Sequence, residues 1–403
     1  MMRSVRGIRV STDWIVSPAG PASEALAQIS LVDHHVHGVV RENPTPEFFA
    51  SMITESDRTP PSVAAALDTQ VGFAVRRWCA PLLELPKHVD AVAYFERRLE
   101  IGAPEVNRRF LKASGIGHFL IETGYRGDEI HGPKGMAEIS GSKVSQVVRL
   151  ETVAEELASS GSSSAVTFID DFANVLAEKA SDAVAFKSIV AYRAGLDFDP
   201  AKPEPSQVRQ AAGKWLAEVG HSGHSGHSGQ ARIHDPILLR HLIWQAVEFK
   251  KPIQFHIGYG DPDLNLHKCD PLLMTELIRS FEALEIPVML LHTYPYQRNA
   301  GYLAQMFRNV YLDVGLAINY VGARSPAIIA ESLELAPFNK ILFSSDAWGL
   351  SELTYLGALL FRRGLGELLD SWIARGDWST ADAIGVVEAI SRDNAQRIYR
   401  LTH

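Results

Sequence analysis

The first apolar run of this 403-residue chain closes on Asp33-His34-His35-Val36-His37. Residues two apart on an extended strand share a face. His35 and His37 are therefore expected to point together into a core, with Val32, His34 and Val36 facing outward. An HxH pair alone is a weak pattern, but three more polar groups fall at the ends of apolar runs. They are His256 after Pro252-Ile253-Gln254-Phe255, His292 after Val288-Met289-Leu290-Leu291, and Asp346 after Ser344-Ser345. In the run ending at His256, Ile253, Phe255 and Ile257 make an outward apolar face and Gln254 and His256 point in. Taken singly, each group reads as a satisfied core histidine or as an aspartate capping the next helix. Taken together, several imidazoles and a carboxylate on one rim suit zinc, manganese or iron. The expected metal set is His35, His37, His256 and Asp346.

Such a rim needs strands that end side by side. Eight short apolar runs meet that need, at 31–37, 118–123, 146–151, 183–191, 252–257, 286–292, 309–314 and 340–346. Segments of helical periodicity separate most of them, including 236–250, 271–284, 297–307 and 325–336. Strands alternating with helices imply a parallel sheet, and eight repeats imply an α/β fold of the (β/α)8 TIM-barrel type. The whole of 1–403 is expected to be one such barrel. Residues 39–116 are too long for a simple connection. Their runs FFASMI, VGFAVRRWCAPLLEL and VAYFERRLEIG read as amphipathic helices, expected to form an inserted helical lid after strand 1, over the mouth where barrel enzymes keep their sites.

Composition sets further bounds. The chain is 46% hydrophobic and 21% charged with a net charge of −8, which argues against a nucleic-acid or anionic-membrane partner. No apolar run approaches the ~18–20 residues that span a bilayer. The N-terminal stretch lacks the uninterrupted apolar core of a signal peptide. Two cysteines, Cys79 and Cys269, make no disulfide framework and fit a reducing cytoplasm. The tract GHSGHSGHSG within 220–230 spaces histidines by three, but Gly and Ser leave nothing to preorganise them. It is read as a flexible loop rather than a metal site.

The pattern resembles the amidohydrolase superfamily. DHHVHG, the strand-5 and strand-6 histidines and SSDAW carry the likeness, together with RRWCAPLL (76–83), FKSIVAYRAGL (186–196), FHIGYGDPDLNL (255–266), LLHTYPYQRNAGYLA (290–304) and NAQRIY (394–399). It is most similar to the branch found ahead of a glutamine-synthetase-like domain in fungal and plant nodulin-type fusion proteins. The resemblance implies a divalent metal, zinc foremost with manganese or iron as alternatives, and one ion rather than two. It implies neutral His35, His37 and His256 as ligands. It implies Asp346 as ligand and proton acceptor for a water whose pKa the metal lowers towards about 7. His292 is either a ligand to a second metal or a group that polarises the substrate.

Lys187, the lysine of predicted strand 4, has three readings: a carbamate bridging two metals, an ammonium contacting substrate, or half of an ion pair with Glu122 or Glu151. It is expected several residues before the strand's end near Ala191–Arg193. Arg193, Tyr259, Asp261, Tyr294 and Trp348 fall in rim loops, where specificity is set. Arg76, Arg77 and Trp78 in the lid either close over an anionic substrate or form a packing face. The implied function is metal-dependent hydrolysis of an amide-type C–N bond of a small molecule, with a γ-glutamyl amide as one candidate. A metal-dependent decarboxylase is the alternative, and lactonase or uronate-isomerase-like chemistry lies within the same superfamily. A homo-oligomer is compatible with the long helical insert.

Overall fold

The computed structural model describes residues 2–5, 8–11, 20–222 and 231–402. Most of the HSG tract lies outside these. Among the described residues, a short antiparallel hairpin, Met2–Val5 with Ile8–Ser11, stands apart from the main sheet. The main sheet has seven parallel strands in sequential order. They are β1 (Leu31–Val36), β2 (Ile116–Glu122), β3 (Lys143–Arg149), β4 (Ala183–Ser188), β5 (Ile253–His256), β6 (Val288–Leu291) and β7 (Val310–Leu312). Each neighbouring pair is parallel, with helices between, so the sheet curls as in a TIM-like α/β barrel.

Local chemistry explains where the elements start and stop. Asp235 accepts from the amides of Ile237 and Leu238, and Pro236 opens the helix Pro236–Val247 that precedes β5. Gly115, at φ 67°, ends the helix Ala103–Ser114 and turns the chain straight into β2. The fully buried Arg362 ties the sheet's base together. Its guanidinium donates to the carbonyls of Leu26, Ile29, Ser114 and Gly115.

Two expected strands differ. The run at 183–191 ends as a strand at Ser188, and Val190–Arg193 is a helical turn. Lys187 is thus the penultimate strand residue, not one several residues short of the end. Residues 340–346 form no regular strand, only a bridge from Ile341 to Leu312. They still join both flanks of the sheet. Leu342 N–H donates to Leu312 O, while His34 N–H donates to Phe343 O and Asp346 N–H to His35 O. Asp346 itself sits at φ 48°, a left-handed conformation costly for a non-glycine residue and incompatible with a regular strand.

The segment between β1 and β2 is helical as expected, with helices at Pro46–Ser51, Val63–Ala66, Gln70–Ala74, Ala91–Ile101 and Ala103–Ser114. It packs on the long helix Ser351–Arg375 through the buried ion pair of Arg98 and Glu352 at 2.6 Å. Arg76 donates to Val89 O, and the Arg77 guanidinium lies 3.9 Å from the centre of the Trp78 ring. These contacts fit the packing reading of that trio.

Candidate metal centre

Alternation along the strands divides the sheet's inner face into two layers. Val32, Leu120, Val147, Ala185, Met289, Leu291 and Leu342 form one apolar cluster, closed from below by Ala395, Ile398 and Tyr399. Two residues further along β2, β3 and β4 come Glu122, Arg149 and Lys187, joined by Gln254 and His256 on β5, Asp313 after β7 and Asp346 at the closing segment. The polar layer therefore stands directly on the apolar one.

β1 breaks this alternation. Val32 belongs to the inner cluster, so the expectation that Val32 and His34 face outward is incorrect. His34 Nε2 lies 3.0 Å from Asp313 Oδ2, and its Nδ1 lies 2.9 Å from the Tyr399 hydroxyl. The register of β1 on β2 shifts between Asp33 and Val36. That shift lets His35 and His37 share an inner face although His34 also points in. Their rings lie 5.4 Å apart. β6 changes phase similarly, since His292 and Thr293 have φ of 69° and 43°. Those values follow the inward pair Met289 and Leu291 and bring the His292 ring within 5.4 Å of His35.

His35, His37 and Asp346 each offer one ligand atom, and these atoms lie within 4.8 Å of one another. His35 Nε2 is 3.2 Å and His37 Nε2 is 3.7 Å from Asp346 Oδ1. Both imidazoles are held from behind. His35 Nδ1 donates to Gln254 Oε1 at 2.8 Å, and His37 Nδ1 donates to the Glu122 carbonyl at 3.1 Å. A carbonyl acceptor fixes the proton on Nδ1 and leaves the Nε2 lone pair facing Asp346, as metal-binding histidines require. His292 Nδ1 is 3.2 Å from Asp346 Oδ2. The His256 ring lies 4.8 Å from that of His292, and its buried Nε2 has no hydrogen-bond partner. His256 thus adjoins the three-residue cluster without entering it.

Burial holds His35, His256 and His292 well below the ordinary histidine value and lowers His37 to about 4. Neutral imidazole is the ligand form. Burial likewise pushes Asp346 well above the usual carboxylate range, against the pull of Lys187. Burial lowers Lys187 to about 8, opposed first by Asp346. Its Nζ is 3.4 Å from His35 Nε2. Neutral imidazoles, an orphaned nitrogen on His256 and a carboxyl group that burial raises and Lys187 pulls down make a donor set that a divalent cation fits. A bound cation would favour the carboxylate form of Asp346.

Of the two acids expected to face Lys187, Glu122 does so, and its charge opposes the loss of the Lys187 proton. Glu151 lies in the helix after β3, not on the strand, and accepts from Ser188 Oγ and Ile189 N–H. Arg193 pairs with Glu155 at 3.0 Å. Tyr259 meets Tyr294 and Tyr320, with ring centres 6.4 and 5.6 Å apart. Trp348 meets Phe48 of the inserted segment and Tyr125 after β2. Sequence reasoning overlooked Arg149, which pairs with Glu122 and lies 5.6 Å from the Tyr125 ring centre. It also overlooked Tyr192, whose ring is 4.4 Å from that of His256, and Glu55, which accepts from the Tyr320 hydroxyl at 3.0 Å. Parity would have found Arg149, two residues after the inward Val147. Nothing local marks Glu55, because tertiary packing alone brings it here.

Comparison with known proteins relates the chain to a family and to solved structures. Residues 152–401 match the amidohydrolase family model. Protein fluG of Emericella nidulans is 30% identical over 280 residues, covering 65% of this chain and 31% of its own length. The chain thus spans about a third of that relative. A solved protein from Lactobacillus casei, described as a metal-dependent hydrolase, superposes with a TM-score of 0.81 at 28% identity, covering 95% of this chain and 98% of that one. A uronate isomerase from Bacillus halodurans superposes at 0.59 with 14% identity, covering 95% and 96%. That likeness concerns the fold alone.

Proposed function

The chain belongs to the amidohydrolase family, and on that footing we propose that it is a metal-dependent hydrolase cleaving an amide-type C–N bond of a small, carboxylate-bearing substrate. The observation that carries this reading is the convergence of His35, His37 and Asp346, with both imidazoles held from behind. The donor set favours one zinc ion. The unpartnered Nε2 of His256 supports that residue as a further ligand. When bound, the ion supplies the Lewis acidity that makes a water acidic near neutral pH.

The chain's own groups do the rest. Asp346 takes the proton from the attacking water on one carboxylate oxygen and passes it to the departing amine. His292, 3.2 Å from the other oxygen, polarises the scissile carbonyl. Lys187 acts as an ammonium facing the negative charge that develops on that carbonyl. Arg149 anchors the substrate carboxylate, since its bond to Glu122 uses Nη2 and leaves a buried Nε without an acceptor. Tyr259, Tyr294 and Trp348 line the entrance.

We read 340–346 as the eighth stave of a (β/α)8 barrel spanning 1–403, and 39–116 as its lid. Contacts of Phe48 with Trp348 and of Glu55 with Tyr320 favour that lid. Two free, buried cysteines favour a cytoplasmic setting.

The test is metal analysis of protein prepared without an affinity tag, followed by amine release from a panel of carboxylate-bearing amides. One zinc per chain and amine release are expected. Asp346→Asn should lower kcat by ~10²–10⁴ with thermal unfolding close to wild type. Carbon dioxide release without amine would replace the hydrolase with a decarboxylase.

A further inference from the structure

Glu55 has no part in the chemistry above, yet it stands over it. It lies between the helices Pro46–Ser51 and Val63–Ala66 of the inserted segment. It accepts from the Tyr320 hydroxyl at 3.0 Å, and the Tyr320 ring lies 5.6 Å from that of Tyr259 in the loop after β5, which places it at the mouth. Its charge also acts on Asp346, Tyr125 and Tyr192. Asp261, in the loop after β5, acts on Glu55 in turn. Among the described residues, neither acid is ion-paired with a lysine or arginine. Burial raises both, Glu55 to about 7. A carboxylate held away from water without a cation is costly, and a cationic ligand would relieve that cost.

Another group of residues around the metal centre has the complementary shortage. Arg149 keeps a buried Nε without an acceptor, and the indole N–H of Trp348 is also buried without one. The Trp348 ring lies 5.5 Å from that of Tyr125, and Tyr125 lies under the Arg149 guanidinium. Tyr192 feels the charges of both Glu55 and Arg149. Tyr125 thus lies beside donors that lack acceptors, while Glu55 lies beside Tyr320 without an ion-pair partner among the described residues.

We propose that Glu55 and Tyr320 bind a primary ammonium group of the substrate, opposite the carboxylate held at Arg149. The substrate is then an amide of amino-acid type, carrying both charges, rather than the amide of a simple acid. This rests on the hydrolase reading of the same mouth. The faces of Tyr259 and Tyr320 add cation–π attraction to the carboxylate's charge.

Two probes that differ only in the ammonium test it: glutamate γ-methylamide and glutaric acid monomethylamide. Binding to the zinc-loaded protein is measured by calorimetry, and turnover by amine release. Wild type should bind the ammonium-bearing probe ~10–100-fold more tightly, as expected for a site built around one charged hydrogen bond. Glu55→Gln keeps the shape and an acceptor for Tyr320, and should shrink that gap to under about 3-fold. Tyr320→Phe should shrink it partly, with circular dichroism confirming the fold of both variants. Equal binding of the two probes by wild type, binding of neither, or equal weakening of both by Glu55→Gln overturns the proposal. A binding gap without turnover leaves the ammonium site standing and removes the hydrolase. Turnover without a gap does the reverse.

Discussion

Asp313 grips His34, with Oδ2 3.0 Å from the imidazole Nε2. Its other oxygen accepts from His292 N–H, Gly315 N–H and Ser344 Oγ. Three of these four partners adjoin a metal-centre residue or are one: His34 precedes His35, His292 faces Asp346, and Ser344 lies two before Asp346. Burial alone would push the Asp313 carboxyl up, but these donors hold it below its ordinary value. One carboxylate thus sets the spacing of β1, the β6 end and the closing segment.

Asp313→Asn should therefore loosen the centre without removing any ligand. Outer-shell substitutions of this kind cost ~10–100-fold in metal affinity. Competition with a chromophoric chelator should read that loss. Zinc affinity equal to wild type would show that the three segments hold their places without Asp313.

Lys187→Met separates the readings of that lysine. As an ammonium facing developing charge, its loss should lower kcat about 10²-fold and leave one zinc per chain. A drop in metal content from two ions to one, with wild-type activity dependent on bicarbonate, would instead identify a carbamate.

His241 provides a stability prediction away from the site. It is 4% exposed and packs against the stacked rings of Phe168 and Phe172. Burial lowers it from 6.5 to about 4. The unfolded chain then takes up a proton first as pH falls, so stability is lost between about 6.5 and 4. His241→Leu should flatten that part of the acid unfolding curve. An unchanged slope would mean that the imidazole titrates normally in the fold.

The sequence made the strands legible because parallel strands buried on both faces read as apolar runs. It showed His35, His37, His256, His292 and Asp346 because each ends such a run. It misled on His34, since alternation assumes an unshifted register and β1 shifts between Asp33 and Val36. It misled on 340–346 because the left-handed Asp346 leaves no trace in residue type. Lys187 looked too deep only because the helical turn Val190–Arg193 extends the same apolar run. Glu55 was invisible because its partner Tyr320 lies far along the chain.

Tyr399 ties down both His34 and Gln254, and Gln254 holds His35. The chain emerges from the ribosome at roughly 5–20 residues per second, so His35 waits on the order of tens of seconds for these partners. During that interval the histidine pair is exposed but not yet oriented. The finished geometry around His35 therefore waits until Tyr399 has been made and packed beneath it.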